Sequence, residues 1–167
     1  ALAVKGTNLF AGAAGGVFLS TNNGTNWTEV NTGLTDLDVF ALAVSGTSLF
    51  AGTGGHGVFL STDDGTNWTP VNSGLTNTNI SSLAVCPGGE GGTNLFAGTG
   101  AHGVFLSTDD GTNWTPVNSG ITGFRIRALA ISGTNLFAGT NDSGVCHSTD
   151  NGTSWRAVNN GIPKLVY

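Results

Sequence analysis

The stretch STDDGTNW at residues 107–114 decides the reading of this chain, because it occurs four times. It recurs letter for letter at 61–68, and close variants stand at 20–27 (STNNGTNW) and 148–155 (STDNGTSW), so every tryptophan of the protein closes one copy. Asp63, Asp109 and Asp150 each lie two residues before a glycine (Gly65, Gly111, Gly152). There a carboxylate can accept hydrogen bonds from the turn's own N–H groups while the glycine takes the positive φ that a side chain resists. Ser61, Ser107 and Ser148 can bond locally in the same way. Trp68, Trp114 and Trp155 then offer a large apolar face, expected to pack on the next unit. In the first copy Ser20, Gly24 and Trp27 keep the pattern, but Asn22 replaces the aspartate, which preserves an acceptor and loses its charge. Four turns in phase are the signature of a repeat architecture.

Working outward from the turns gives four units, at about 1–38, 39–79, 80–125 and 126–167, together forming one domain. Successive turns begin 41, 46 and 41 residues apart. The extra five residues of the third interval fall in Cys86-Pro-Gly-Gly-Glu-Gly-Gly92, which lengthens one turn and leaves the strands intact. Each unit reads as four short strands separated by glycine-containing turns, an antiparallel meander. The first three strands are near-continuous apolar runs, as expected of sheets covered on both faces. The fourth carries Pro70 and Pro116 among polar residues, which places it at an exposed edge, since proline cannot donate to a ladder.

The motif Ser-x-Asp-x-Gly-x-x-Trp resembles the Asp-box, or bacterial neuraminidase repeat, of sialidases, sortilin-type receptors, some glycoside hydrolases and a photosystem assembly factor. The resemblance covers all four repeats. It implies an all-β fold, a β-propeller of four blades with four antiparallel strands each, in which the box is a structural turn between the two outer strands. It also implies a secreted or cell-surface bacterial protein. The start at Ala1, without an initiator methionine or signal peptide, is read as that of a mature, processed or excised piece. The chain stops where the repeat would resume, so ring closure is expected, with Leu165 to Tyr167 and Ala1 to Val4 sharing one strand. Closure within one chain is the preferred expectation; closure between two chains into an eight-bladed ring, a homo-oligomer, and a piece of a longer array are the alternatives.

Composition limits the function. The net charge is −5 and the permanent cations are Lys5, Arg125, Arg127, Arg156 and Lys164, the wrong balance for a phosphate-binding surface, so nucleic acid is excluded as a partner. No apolar run approaches the length of a membrane-spanning helix, so no membrane insertion is expected. Cys86 and Cys146 are expected to be isolated thiols, and sequons such as Asn23-Gly-Thr25 fall out of the repeated turn.

Turns alternate between the two faces of the ring, which sets the boxes and the turns between first and second strands, the Cys86 loop among them, on one face, and the turns between second and third strands with the connections between units on the other. That second face is the candidate binding site. It gathers His56 and His102, at equivalent positions of neighbouring units (GGHGV and GAHGV), with Asp36, Asp38, Asn77, Asn79, Arg125, Arg127 and Asp142. His147 replaces an aliphatic residue and is expected to pack. No metal and no cofactor is expected, because two blades hold the imidazoles too far apart and the box carboxylates serve their own turns. The resemblance would place three arginines, a tyrosine nucleophile with its glutamate and an acidic aspartate in a sialidase site. This chain has three Arg in all, Glu29 and Glu90, and Tyr167 alone. Asp36 or Asp38 with Asp142 could form a glycosidase pair, but nothing in their spacing separates them from turn residues. The expectation is a non-catalytic binding or scaffold module for a protein or glycan ligand. A carbohydrate-binding lectin is the alternative, with a hydrolase fragment behind both.

Overall fold

The computed structural model describes residues 1–88 and 92–162. The first blade consists of β1 (Leu2–Lys5), β2 (Asn8–Ala13), β3 (Gly16–Ser20) and β4 (Thr28–Glu29). The second holds β5 (Val39–Ser45), β6 (Ser48–Thr53), β7 (Val58–Ser61) and β8 (Thr69–Pro70). The third holds β9 (Ile80–Pro87), β10 (Thr93–Thr99), β11 (Val104–Ser107) and β12 (Thr115–Pro116). The fourth holds β13 (Ile126–Ser132), β14 (Asn135–Thr140), β15 (Gly144–Ser148) and β16 (Arg156–Ala157). Each blade is a four-stranded antiparallel sheet in chain order. The protein is all-β, with the architecture of a β-propeller. The first strands of successive blades lie side by side, β1 by β5, β5 by β9 and β9 by β13. The fourth strands form the outer edges and are only two residues long, shorter than the run from Trp27 to Asn31 that the sequence allows.

The box works as a clamp. In the second blade Asp63 Oδ1 accepts from the Asn67 N–H at 2.9 Å and from the Ser61 hydroxyl at 2.9 Å, and Asp63 Oδ2 accepts from the Asn67 carboxamide at 2.9 Å. The Ser61 hydroxyl oxygen in turn accepts from the Gly65 N–H at 2.8 Å. Two consecutive residues turn left-handed, Asp64 at φ 58° and Gly65 at φ 84°, and the same holds at Asn23, Asp110 and Asn151. This accounts for Asn or Asp at the position before the glycine, since these are the side-chain-bearing residues that best tolerate that region. In the first blade Asn22 Oδ1 keeps the backbone bond, to Asn26 N–H at 2.9 Å.

The blades pack through three apolar joints. Between the first two, Phe10 and Val17 meet Val39, Leu49, Ala51, Phe59 and Trp68. Phe50 and Val58 meet Ile80, Leu95, Ala97, Phe105 and Trp114 in the next joint, and Phe96 and Val104 meet Ile126, Leu136, Ala138, Cys146 and Trp155 in the last. Each fully buried side chain of this size contributes about 1.5–3 kcal/mol. Cys86 and Cys146 are buried free thiols of the last joint, and burial pushes the Cys86 thiol up.

The tryptophans pack backward rather than forward. The indole N–H of Trp68 donates to Val30 O at 2.7 Å, that of Trp114 to Val71 O at 2.8 Å, and that of Trp155 to Val117 O at 2.8 Å, each in the preceding blade. Their backbone N–H groups donate to Thr32 O, Ser73 O and Ser119 O. Trp27, in the first of the described blades, is 41% exposed, against 3%, 3% and 6% for the others. The expected closing segment, Leu165 to Tyr167, lies outside the described residues. Within them, its proposed partners Leu2 and Val4 are 78% and 62% exposed.

Candidate functional site

The connection from the fourth strand of one blade to the first strand of the next is bonded to the turns between the second and third strands, that of the blade it leads into and that of the blade it leaves. Gly54 N–H donates to Asp38 O, Gly100 N–H to Asn79 O and Asn141 N–H to Arg125 O, while Gly57 N–H and Gly103 N–H reach Thr78 O and Phe124 O. The two loop sets therefore interlock by backbone bonds into a rigid rim, the kind of support on which binding side chains are carried.

A β-bulge at the start of three first strands aims one side chain per blade onto this rim. Val39 pairs with Thr53 and Ala41 with Gly52, which leaves Phe40 as the extra residue. In the same way Ser81 and Arg127 are the extra residues of β9 and β13. Bulges commonly re-aim side chains beside functional sites. The flanking residues are alike between blades, but Phe40, Ser81 and Arg127 differ completely.

At the rim between the third and fourth blades lies a cleft of about 360 Å³, lined by Asn77, Asn79, Ser81, Gly100, Ala101, Arg125, Ile126 and Arg127. Arg127 is held by a two-pronged bond from Nε and Nη2 to Asn141 Oδ1, at 3.0 and 2.8 Å. Arg125 Nε donates to Gly100 O at 3.3 Å. Among the described residues the ion pair Lys5–Asp64 stands alone, so neither guanidinium of the cleft is neutralised. Asn79 donates its carboxamide to Gly54 O at 2.7 Å, Asn77 Oδ1 accepts the Asn79 N–H at 3.0 Å, and the Ser81 hydroxyl donates to Ile126 O at 2.6 Å. Two cations, two amides and a hydroxyl on a fixed backbone suit a ligand rich in carboxylate or hydroxyl oxygens.

Of the residues read from the sequence, the structure brings Asn77, Asn79, Arg125 and Arg127 together. Asp142 lies beside them, accepting from the Asn141 carboxamide at 2.8 Å. Asp36 is tied to its own loops instead: burial raises its carboxyl, but N–H bonds from Asp38, Gly55 and His56 outweigh this and hold it below the usual carboxylate range. His56 Nδ1 lies 3.2 Å from the Thr35 hydroxyl, and His102 donates its backbone N–H to Thr99 Oγ1; both rings stay outside the cleft. Asp38 contributes its backbone carbonyl to the rim. Among the described residues no cluster of three metal-ligating side chains occurs. The sequence reading missed Ser81, Ile126 and the anchoring Asn141. The signal for Ser81 was its alignment with Phe40 and Arg127, one residue inside each apolar strand.

No protein-family model and no curated protein matches the chain. Among solved structures it is similar to an ancestral GH74 enzyme, with TM-score 0.75 and 24% identity over 95% of this chain and 23% of that one. It is also similar to the GH74 xyloglucanase of Xanthomonas campestris, with TM-score 0.74 and 19% identity over 95% of this chain and 29% of that one. A third likeness is to the extracellular domain of a candidate hybrid two component system of B. thetaiotaomicron, with TM-score 0.75 and 19% identity over 98% of this chain and 23% of that one. The chain thus spans less than a third of the length of these proteins, and at such identities the likeness is one of fold.

Proposed function

We propose that this chain is a non-catalytic binding module of a secreted or cell-surface protein, taking its ligand on the rim that carries Asn77, Asn79, Arg125 and Arg127. The observation behind this reading is the chemistry of the cleft. Two unneutralised guanidiniums stand beside amides, and the lining holds neither a carboxylate nor a histidine for acid–base work. The Asp-box resemblance and the extracellular neighbour support the location.

A carbohydrate-binding lectin is the second reading. It is favoured by Phe40 and Phe124, 56% and 52% exposed, since an aromatic face beside amide donors matches the two sides of a sugar ring.

A glycan array spanning neutral chains, xyloglucan among them, and uronate-bearing chains tests both, with titration calorimetry on the hits. Arg127→Ala should weaken an acidic ligand by about tenfold to a hundredfold, the worth of hydrogen bonds to a charged group. Phe40→Ala should weaken a neutral sugar more. Hydrolysis of any arrayed glycan, or affinities untouched by Arg127→Ala, Asn79→Ala and Phe40→Ala alike, would refute the proposal.

A further inference from the structure

The three joints repeat one design, which makes it possible to ask what the two outermost faces lack. On the face that a blade turns to its predecessor, Leu49, Leu95 and Leu136 are buried, as are Trp68, Trp114 and Trp155. The equivalents in the first blade are Leu9, half-buried, and Trp27, exposed, and beside them Leu2 and Val4 are open. At the other end, the carbonyls of Val30, Val71 and Val117 accept indole N–H groups, and the equivalent carbonyl of Val158 receives none among the described residues. A side chain on Gly33, Gly74 or Gly120 would overlap the carbonyl oxygen of the tryptophan in the next blade. At the equivalent Gly161 nothing lies within 4 Å. Ile162, whose counterparts Leu34 and Ile121 are buried, is 46% exposed.

The two open faces are also oppositely charged at their outer strands. Glu29 pairs with Phe18 and so projects on the open face of the first blade, at the position held by Pro70, Pro116 and Ala157 in the others. Arg156 pairs with His147 on the open face of the fourth, where the other blades have Thr28, Thr69 and Thr115. His147 itself stacks on Phe137 at 4.7 Å between ring centres, bonds Asn135 Oδ1 at 2.7 Å, and lies 3.2 Å from Arg156 Nη2. In the fourth strands, then, ionised side chains occur on these two faces and are absent from the three internal joints.

We propose that the open face of the first blade and the open face of the fourth are the two halves of a fourth joint, closed by a second copy of this chain. Two copies placed head to tail, four blades from each, complete an eight-bladed ring with two such joints. Trp27 of each copy then donates to Val158 O of the other, and Glu29 faces the Arg156 end. A heterologous contact of this kind ends in a closed ring when the rotation per blade brings the last face back to the first.

Sedimentation equilibrium of the full chain over a dilution series tests this. The expected mass at high concentration is twice 16.8 kDa, with Trp27 losing its access to acrylamide quenching as the copies associate. Trp27→Ala should weaken association at least about thirtyfold, as loss of a buried aromatic anchor does. Glu29→Arg and Arg156→Glu should each weaken it about tenfold by setting like charges across the joint. An equimolar mixture of the two charge variants should regain the wild-type dimer, because in the mixed ring each joint again has one of each sign. Circular dichroism of each variant separates dissociation from unfolding. A wild-type chain that stays at 16.8 kDa throughout overturns the proposal, as does a dimer indifferent to Trp27→Ala or a mixture no tighter than its components.

Discussion

Four tryptophans at one repeat position, three in complete joints and one on an open face, allow the packing argument to be tested against itself. Trp114 is 3% exposed, sits in the joint of Phe50, Val58 and Phe105, and donates its indole N–H to Val71 O. Trp114→Ala should cost about 3–5 kcal/mol for the lost packing and the cavity left behind, with about 1 kcal/mol more for the stranded carbonyl. Trp68→Ala and Trp155→Ala should fall in the same range. Trp27 has lost far less water, has no acceptor for its indole among the described residues, and opens no enclosed cavity on truncation. Trp27→Ala should therefore cost only about 1 kcal/mol in the single chain. Since domains are held by roughly 5–15 kcal/mol, the first three should lower the guanidinium midpoint steeply and the fourth barely move it. The melts belong at protein concentrations low enough that the midpoint no longer depends on concentration. Equal losses for Trp27→Ala and Trp114→Ala under those conditions would refute the claim that the first blade presents an open face. A loss below about 1 kcal/mol for Trp114→Ala would refute the role of the box tryptophan as the anchor of a joint.

Gly74→Ala and Gly161→Ala share the strain of a positive φ, 88° and 83°, but the added methyl of the first alone overlaps a backbone oxygen, that of Trp114, so chemical melts should show a larger loss at Gly74 by at least about 1 kcal/mol. The carboxyls of Asp63, Asp109 and Asp150 are held below their ordinary value, first by the side chains of Asn67, Asn113 and Ser154; for Asp150 the value falls to about 2. A depressed pKa stabilises the fold above the unfolded value, about 3.9, and that contribution fades as pH falls toward the folded one, so thermal midpoints should drop through this window. The triple variant Asp63→Asn, Asp109→Asn, Asp150→Asn should flatten the drop, and parallel wild-type and variant curves would count against the clamp. Ser82 has a buried hydroxyl without a partner among the described residues, where the second and fourth blades have Ala41 and Ala128, so Ser82→Ala should be neutral or stabilise by up to about 1 kcal/mol in denaturant melts.

Most of the fold was legible because the chain states it four times. The box spacing, the glycines and the apolar runs name the strands and their order, and the prolines place the fourth strand at the edge. The backward packing of the tryptophans was hidden, since a flat indole is apolar on either side and its spacing does not say which neighbour supplies the acceptor. The open end faces were hidden for a related reason. Leu2 and Trp27 carry the same letters as their half-buried or buried counterparts, and Val4 differs only from Ile131, so only the arrangement of blades reveals that they stand exposed among the described residues. At the candidate site, Arg125 and Arg127 stood out as rare charges. Ser81 did not, because the bulge that turns it outward is a matter of register, and a serine inside an apolar strand reads as a packing residue.

The same logic explains where the repeats are free to differ. A residue in a joint must satisfy the same packing problem in every blade, and so the positions of Leu49, Ala51 and Trp68 return almost unchanged around the arc. A bulged residue belongs to no joint, and its side chain can be exchanged without disturbing the ladder on either side. The rim therefore changes chemistry from blade to blade, from Asp36, Asp38 and Phe40 through Asn77, Asn79 and Ser81 to Gly123, Arg125 and Arg127. Such a gradient, acidic at one end and basic at the other, would orient a ligand that carries opposite charges or a charge at one terminus, rather than merely attract one. Under head-to-tail closure the gradient would be presented twice around a common axis, and the cleft of the third and fourth blades would become one of two equivalent sites. Binding stoichiometry then bears on both proposals at once. One ligand per chain, with affinity that survives dilution to the single chain, assigns the site to the cleft alone. Affinity lost together with Trp27 assigns it to the closed ring.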